Sequence, residues 1–598
     1  MKKFFALVLA VLMLASLAVP AMATEYHASH TITIDDSRAD RVYVAYQIFS
    51  GDVTGEDPNL ILANVGWGSG VDLTKKVSFT VGETTKELTL LEALWDTDVN
   101  NASLALAIQT AAAELKESLG ITGTLNEAQG AQAIVTALAK YDDDSVQAKE
   151  FARLVEHYVT GGSTSVRDGD VYKISPLSDG YYMVQETTDP SKLEGDTYTS
   201  LILELVKSIT IATKGDKVTP EKKIIEGGAP TDACADNIGD VVEFQLKGNM
   251  PDNLTEYKKF YYALVDTQSA GLTFNPDSVQ VYLINGDTQT LISSDKYQLA
   301  LSTDEDFAFT NKAGTESATF AVVFEDLLSL GLNVLPTSHI VVKYTSTVNE
   351  DAVVGGNGNP NDLHIVYDHD PYTDGEYAKT PEDEVKVYTF ELDVTKKNGK
   401  TNEVLAGVEF VLYRTRTQND VAVIQYAVVN NGKLVGWTNW QTEEDLIDYV
   451  DETYPDLSEE DRTAKINELK AAPGVATTLV TDASGMIKVA GLDVGTYHLK
   501  ETKALDGYDM IADIEVIISA EYTTVDPVEL TKLTIKVNGG AANNGDLSTG
   551  IVAMTVINNP GNTLPSTGGI GTTLFYIFGG LMVAGAAVLM ITKKRMAV

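Results

Sequence analysis

The chain has 598 residues, of which 44% are hydrophobic, and a formal net charge of −41 from 44 Lys and Arg against 85 Asp and Glu. This length exceeds what one hydrophobic core supports, so we expect three or four domains, and the hydrophobic fraction favours globular domains over disorder. The charge argues against nucleic acid or anionic lipid as a partner of the folded region and predicts a solvated, self-repelling surface.

The N-terminus predicts export from the cytoplasm. Lys2 and Lys3 precede an apolar run over residues 4–19, and a small-residue cleavage site ends at Ala23. We therefore interpret residues 1–23 as a signal peptide that is cut between Ala23 and Thr24.

The chain contains a single cysteine, Cys234. Exported proteins are often stabilised by disulfides, but one cysteine cannot form an internal bridge. Another device must stabilise this protein outside the cell.

Residues 24–213 are predicted as a first domain, a β-sandwich that carries a helical insertion. Period-2 alternation indicates strands at both ends of this stretch, and helical periodicity indicates helices between them. The strand segments are 31–34, 42–46, 180–184 and 201–211, and the helical segments are 90–119 and 126–158. The apolar stripes of the helices favour packing on the sheet.

Two further β domains are predicted, at 214–375 and at 380–560, so the fold class is mainly β with tandem immunoglobulin-like sandwiches. Short strands separated by Gly, Asn, Asp and Pro turns favour a sandwich at 214–375. The last domain has strands at each end and a polar helical insertion at 442–472. Within it, Thr442 with Asp445 and Ser458 with Asp461 have the spacing of helix N-caps.

Lys396 lies in an alternating segment whose same-face neighbours are all apolar: Phe390, Leu392 and Val394. Because burial of a lone ammonium is costly, the amine is expected to shift toward its neutral, nucleophilic form. Asn558 on a late strand offers a carboxamide. If Glu501 is also buried and protonated, it could polarise that carboxamide while the amine attacks and ammonia leaves, which would give a Lys396–Asn558 amide. The alternative is an ordinary snorkelling or ion-paired lysine.

The C-terminal stretch 561–598 combines a short motif, an apolar run over residues 570–591 and the basic triplet 593–595. As a helix the run is about 33 Å long, enough to cross a hydrocarbon core, and the basic residues would stay on the cytoplasmic side. The motif resembles the LPxTG cell-wall sorting signal that sortase transpeptidases cut between Thr and Gly. Its residues are Leu564, Pro565, Ser566, Thr567 and Gly568.

The third domain resembles the CnaB-type, prealbumin-like domains of Gram-positive pilins. The matching segments are 405–410, 491–497 and 501–508, and the last resembles the family's E-box, with Leu505 where Pro is usual. The resemblance implies an isopeptide bond between Lys396 and Asn558, promoted by Glu501.

The second domain resembles the CnaA-type middle domain of the same pilins. The matching segments are 239–242, 266–273 and 361–371. This resemblance implies a second isopeptide bond, in which Lys222 is the nucleophile, Asp266 the proton-bearing acid and Asn361 the acceptor. Lys223 remains an alternative to Lys222 because adjacent strand residues face opposite ways, and both lysines could instead be solvated.

The first domain resembles the N-terminal pilin domain over residues 38–49. No lysine lies on its opening strand, residues 31–35, so we predict no equivalent bond there.

Backbone pilins carry a pilin motif, WxxxVxVYPK, whose lysine receives the Thr of the next subunit's sorting signal. Aligned on Lys214, this chain keeps only the hydrophobic alternation at Ile209 and Ile211. The position after the first domain matches the family, which implies Lys214 as the linkage residue. Lys207 and Lys217 are nearby alternatives.

Together these features resemble the SpaA-like, sortase-assembled backbone pilins of Gram-positive bacteria. The resemblance implies a fibre subunit on the cell surface whose partners are pilin-specific and housekeeping sortases, identical subunits and peptidoglycan, with transient membrane insertion before sorting and a host receptor as a further candidate. The alternatives are a monomeric wall-anchored adhesin and a basal or tip pilin.

No enzyme motif is found: HExxH, GxxxxGK and GxSxG are all missing, and seven scattered histidines lack metal spacing. We therefore predict no enzymatic activity beyond self-catalysed isopeptide formation, and no cofactor or metal. The acidic stretch 368–376 does not fit an EF-hand loop and favours a solvated linker.

Overall fold

The computed structural model of the chain describes residues 29–55, 60–81, 84–100, 102–141, 145–198, 200–212, 217–303, 318–371, 375–418, 421–471, 474–523, 527–561 and 570–595. The predicted signal cleavage site, Lys214 and the sorting motif at Leu564 to Gly568 lie outside these residues.

The first unit has eleven strands and four helices within the described residues. They are β1 His30–Asp35, β2 Tyr43–Thr54, β3 Ile61–Trp67, β4 Val77–Val81, β5 Thr84–Leu88, α1 Leu90–Trp95, α2 Ala102–Leu119, α3 Glu127–Leu138, α4 Val146–Glu156, β6 Ser163–Thr164, β7 Val166–Asp168, β8 Val171–Leu177, β9 Gly180–Glu186, β10 Ser200–Leu205 and β11 Ile209–Ala212.

Two sheets of the first unit pack face to face. One has the order β11-β1-β8-β7 and the other β10-β9-β2-β3, with β6 pairing β2 and β4-β5 forming a separate hairpin. Inward residues of both sheets, among them Ile34, Tyr172 and Val184, form one core. The second sheet's other face, including Phe49 and Met183, packs on the helices. The predicted sandwich with helices on a sheet is therefore present.

The second unit runs from β12 to β24. Its strands are β12 Pro220–Glu226, β13 Ala229–Thr231, β14 Ala233–Ala235, β15 Val241–Asn249, β16 Tyr262–Gln268, β17 Leu272–Asn285, β18 Thr288–Ile292, β19 Gln298–Leu301, β20 Phe320–Phe324, β21 His339–Val348, β22 Asn359–Asp368, β23 Tyr377–Lys379 and β24 Asp383–Tyr388.

These strands form two sheets, β13-β12-β15-β21-β17-β18 and β14-β24-β22-β16-β20-β19, with β23 pairing β22. Alternating residues such as Phe244, Leu264 and Val342 fill the space between the sheets. The pairing of β22 with β23 and β24 carries this unit to Tyr388, beyond the predicted end at residue 375. Residues 380–388, predicted as the start of the third domain, belong to the second unit because β24 forms its hydrogen-bonded ladder with β22 and not with the third unit's sheet.

The third unit runs from β25 to β35. Its elements are β25 Phe390–Asn398, β26 Glu409–Gln418, β27 Val421–Asn430, β28 Lys433–Thr438, α5 Glu443–Thr453, α6 Glu459–Ala471, β29 Leu479–Val480, β30 Met486–Leu492, β31 Gly495–Lys503, β32 Ile514–Tyr522, β33 Leu530–Val537, β34 Ala542–Asn544 and β35 Ile551–Asn558.

One long sheet, β34-β33-β32-β31-β26-β27-β28-β30-β25-β35, curls around the third core, and β29 pairs β26. The first strand, β25, and the last, β35, are parallel neighbours. Thr442 and Asp445 form the predicted capping box of α5, and the Ser458 hydroxyl accepts from the Asp461 amide at 3.2 Å before α6. The predicted mainly β class is confirmed.

The second and third units share an interface. The Ile238 amide donates to the Gly491 carbonyl at 3.0 Å, and Asn237 Oδ1 accepts from the amide of Asp493 at 3.1 Å. Burial, followed by repulsion from Asp236, raises the pKa of Asp493 to about 8. This carboxyl therefore favours its protonated form at the junction.

A last helix, α7, spans Ile570–Arg595. Over the part of the chain that the structure describes, no helix combines the length and the hydropathy needed to span a membrane. The transmembrane helix at 570–591 remains a prediction.

Candidate functional site

The structure distinguishes the two lysines of β12. Burial alternates along this strand, so that Lys222 and Ile224 point into the core while Lys223 points away. Lys222 is 0% exposed. Lys223 is half-buried and forms an ion pair with Asp232. The predicted nucleophile position in the core therefore belongs to Lys222.

Lys222, Asp266 and Asn361 meet between the two sheets of the second unit. β12 supplies Lys222 from one sheet, and β16 and β22 supply Asp266 and Asn361 from the other. Lys222 Nζ lies 2.5 Å from Asp266 Oδ2 and 2.5 Å from Asn361 Oδ1. All three side chains are fully buried. The structure thus brings the three predicted residues together.

Tyr344 on β21 is a fourth member of this cluster that the sequence reasoning missed. Its hydroxyl donates to Asp266 Oδ2 at 2.7 Å and accepts from Asn361 Nδ2 at 2.8 Å. Tyr344 shares the inward face of β21 with Val342. The alternation of apolar residues along β21 could have indicated that Tyr344 points into the core. It could not have shown that Tyr344 would contact Asp266 and Asn361.

The low-polarity surroundings favour neutral forms in this cluster. Burial lowers the pKa of Lys222, although Asp266 acts in the opposite sense. Burial likewise raises the pKa of Asp266 and of the Tyr344 phenol. The rings of Phe244 and Tyr344 lie 6.0 Å from Lys222 Nζ. A neutral amine beside a protonated acid and a carboxamide is the arrangement required for amide exchange.

The predicted residues of the third unit are also brought together. Lys396 and Asn558 lie on the parallel neighbours β25 and β35, and Glu501 lies on β31. Lys396 Nζ is 2.9 Å from Glu501 Oε1, at an angle outside the hydrogen-bond range. Asn558 Nδ2 donates to Glu501 Oε1 at 3.4 Å. All three residues are buried.

Glu501 is oriented by the backbone, because its Oε2 accepts from the Ile511 amide at 2.8 Å. Burial lowers the pKa of Lys396, whose Nζ lies 5.2 Å from the ring centre of Phe410. The local chemistry therefore resembles that of the second unit, with a backbone amide where the second unit has a tyrosine hydroxyl.

The three lysines that could receive the next subunit's sorting signal are Lys214, Lys217 and Lys207. Lys214 lies outside the described residues. Lys217 Nζ is 3.9 Å from Asp196 Oδ1, and Lys207 is exposed after β10. The choice of Lys214 therefore remains a prediction.

The described ranges contain no group of three or more His, Cys, Asp or Glu side chains arranged to hold a metal ion. The acidic stretch at 368–376 is described only in part.

Two family models match the chain. A prealbumin-like fold domain of the SpaA family covers residues 390–531, and an LPXTG cell wall anchor motif covers residues 557–597. The first match contains the Lys396 and Glu501 positions, and the second contains Asn558 and the sorting motif.

A curated relative is the trypsin-resistant surface T6 protein of Streptococcus pyogenes serotype M6. It is 24% identical over 395 residues, which are 60% of this chain and 66% of that protein. The aligned region thus spans just under two thirds of the relative's length.

Two solved structures are similar over most of the chain. The T6 backbone pilin of serotype M6 Streptococcus pyogenes is 16% identical, with 90% of this chain and 99% of that chain covered and a TM-score of 0.45. The full-length major pilin SpaD from Corynebacterium diphtheriae is 15% identical, with the same two coverages and a TM-score of 0.41. The chain therefore contains a SpaA prealbumin-like domain and an LPXTG cell wall anchor motif, and it is homologous to the T6 protein over 395 residues.

Proposed function

We propose that this protein is the shaft subunit of a covalent pilus on a Gram-positive cell, stiffened by two internal isopeptide bonds. The observation that carries the proposal is the buried contact of Lys222 with Asp266 and Asn361 at 2.5 Å each. Burial of a lysine costs folding free energy even beside an acid, so the placement of Lys222 between two sheets favours a chemical role. Homology to the T6 protein and the cell wall anchor support the same assignment.

The second unit's bond would form by attack of the neutral Lys222 amine on the carboxamide carbon of Asn361. Protonated Asp266 polarises the carbonyl, and the proton released by the attacking amine returns through Asp266. Tyr344 contacts both Asp266 and the departing Asn361 Nδ2, so it can deliver a proton to the leaving group. One amide bond forms, one breaks, and ammonia leaves.

In the third unit, Glu501 would serve in the same way between Lys396 and Asn558. Its Oε1 contacts both the amine and the departing amide nitrogen, so one carboxyl oxygen can take and return the proton. The resulting Lys396–Asn558 bond would join the unit's first and last strands.

Subunits would be joined by sortase chemistry between Thr567 in the C-terminal sorting motif of one subunit and Lys214, which lies in the sequence between the first and second units, of the next. Sortase would form an acyl-enzyme at Thr567, and Lys214 of the next subunit would resolve it as an amide. The last subunit would be transferred to peptidoglycan. The pilin-specific and housekeeping sortases, identical subunits and the wall are thus the proposed partners.

Boiled wall extracts test the polymer. The unaltered protein is expected to give a high-mass ladder that Lys214→Ala abolishes, whereas the matched variants Lys207→Ala and Lys217→Ala keep it. A single band from the unaltered protein would instead indicate a monomeric adhesin. A ladder lost only in one of the matched variants would move the linkage to that lysine.

Intact mass tests the internal bonds separately. The mature chain is expected to fall short of its sequence mass by two molecules of ammonia. A full sequence mass would contradict both bonds while leaving the polymer untouched.

A further inference from the structure

The first and third units share a strand pattern that can be aligned by register. β8 and β30 have seven residues each, a two-residue turn follows, and β9 and β31 then begin at Gly180 and Gly495. Counting from these glycines, Glu186 stands at the position of Glu501. The first unit therefore retains an acid at the place where the third unit has its E-box glutamate.

The opening strands align by the same register. Thr395 on β25 pairs with Met486, the first residue of β30, and Asp35 on β1 pairs with Val171, the first residue of β8. The next residue is Lys396 in the third unit and Asp36 in the first. A buried carboxyl thus stands where the other unit has its amine, and Asp36 is 6% exposed.

Two arginines neutralise this pair of acids. Arg38 Nε and Nη2 donate to the two oxygens of Asp36 at 2.9 and 3.0 Å, and the Tyr43 hydroxyl donates to Asp36 Oδ2 at 2.5 Å. Arg41 Nη1 donates to Glu186 Oε1 at 3.3 Å. Asp36, Arg38 and Arg41 lie on the loop that joins β1 of one sheet to β2 of the other, and Glu186 ends β9, so the Arg41–Glu186 and Tyr43–Asp36 contacts tie this loop to the second sheet.

A third acid, Asp196, is shared by both arginines. It is 0% exposed, lies 2.7 Å from Arg38 Nη1 and forms an ion pair with Arg41 Nη2. With Asp36, Glu186, Arg38 and Arg41 it makes a five-residue cluster, hereafter the ionic cluster. Burial opposes charge on Asp36, yet the hydrogen bonds from Arg38 and Tyr43 hold its pKa below the ordinary value. Burial raises the pKa of Glu186, so of these two acids Asp36 carries the firmer charge.

Asp196 also lies on the segment 193–198, which is docked in the second unit. Leu193 packs in that unit's core, the Asp196 carbonyl accepts from the Tyr367 hydroxyl at 2.7 Å, and the Tyr198 amide donates to the His369 carbonyl at 2.6 Å. The Gly195 carbonyl accepts from the Val218 amide at 2.8 Å. The ionic cluster therefore touches both the sandwich of the first unit and its attachment to the second.

We propose that the ionic cluster is a non-covalent lock that closes the first unit at the place where the third unit has its lysine site, and that couples this closure to the docking of segment 193–198. Breaking the lock releases the sandwich and the junction together, and the lock can form again because no covalent bond is broken. This inference stands whether or not the two amide bonds form.

Hydrogen exchange of the mature chain, read by mass spectrometry, tests the lock. Arg41→Gln is expected to speed exchange of β1, of β9 and of segment 193–198 together by about tenfold or more, because it leaves buried acids without their cation. The second and third units should exchange as before. Lys173→Gln is the matched control, since Lys173 forms an exposed ion pair with Asp168 in the same unit.

The proposal is overturned if Arg41→Gln changes only peptides next to residue 41, or no more than Lys173→Gln does. If Arg41→Gln prevents the first unit from folding, Asp196→Asn decides, because it keeps the side-chain shape and removes the shared charge. It is expected to loosen β1, β9 and segment 193–198 in parallel. Loosening of the segment alone would show that docking and closure are independent and would refute the lock.

Discussion

The two lysine sites of this protein use the same kinds of side chain but join different parts of the fold. In the second unit, Lys222 and Asn361 come from opposite sheets, so a bond between them would clamp the sandwich through its core. In the third unit, Lys396 and Asn558 lie on neighbouring parallel strands of one sheet. The comparison shows that the fold builds the same buried contact of lysine, acid and asparagine in two different strand arrangements.

The largest expected effect separates the two sites by removing one acid. Asp266→Ala should leave the second unit without its amide while the third unit keeps its own, so the intact mass falls short of the variant's own sequence mass by one ammonia instead of two. Loss of a cross-link over a loop of this size should lower the free energy of unfolding of that unit by about 4 to 5 kcal/mol, if it acts as a disulfide does. Chemical denaturation and intact mass measure both quantities.

Glu501→Ala is the counterpart of this variant and should affect only the third unit. If either variant had its full sequence mass, with neither ammonia lost, the two sites would not be independent. That result would contradict the view that each site forms its amide separately.

The next effect concerns the junction between the two units. The raised pKa of Asp493 means that its contribution to stability is complete below the unfolded value near 3.8 and is lost as the pH rises toward about 8. Asp493→Asn should therefore stabilise the protein at pH 8 by several kcal/mol and leave it nearly unchanged at pH 4. Thermal unfolding at the two pH values measures this, and equal shifts at both would contradict it.

A smaller effect is expected from removal of the Tyr344 hydroxyl, which contacts the acid and the asparagine of the second site and has no counterpart described in the third site. Tyr344→Phe removes the hydroxyl between Asp266 and Asn361, so amide formation in the second unit should slow by about tenfold or more. Time-resolved intact mass of freshly synthesised chain, followed from the moment of folding, measures the rate, because an amide that has already formed would survive unfolding. Tyr262→Phe, which removes another buried hydroxyl of that unit, is the control and should leave the rate unchanged.

The smallest effect concerns the neighbouring lysine. Lys223→Gln should retain both ammonia losses and cost less than about 1 kcal/mol, because it removes only a half-exposed ion pair with Asp232. Lys222→Gln should fall short of its own sequence mass by one ammonia instead of two. The reverse result would place Lys223 at the site.

The sequence predicted a site residue best where the alternation of apolar residues along a single strand was sufficient. Lys396 shares its face with three apolar residues, so its burial followed from alternation alone. Lys222 and Lys223 could not be separated, because the pattern before β12 does not set its register. Tyr344 was missed because its partners come from strands far away in the chain. The extension of the second unit to Tyr388 was missed because β23 has only three residues, between Pro371 and Pro381, and because the sequence of β24 does not show which of two neighbouring sheets it joins.

The parallel pairing of β25 with β35 has a mechanical consequence for a protein held at both ends. Tension would enter the third unit at Phe390, the start of β25, and leave at Asn558, the end of β35. Because the strands are parallel, this pull acts to slide one along the other, and before the proposed Lys396–Asn558 amide forms, the ladder from Glu391 with Ile551 to Asn398 with Asn558 bears it all at once. The unit therefore resists in shear, where an antiparallel pair of terminal strands would open like a zipper.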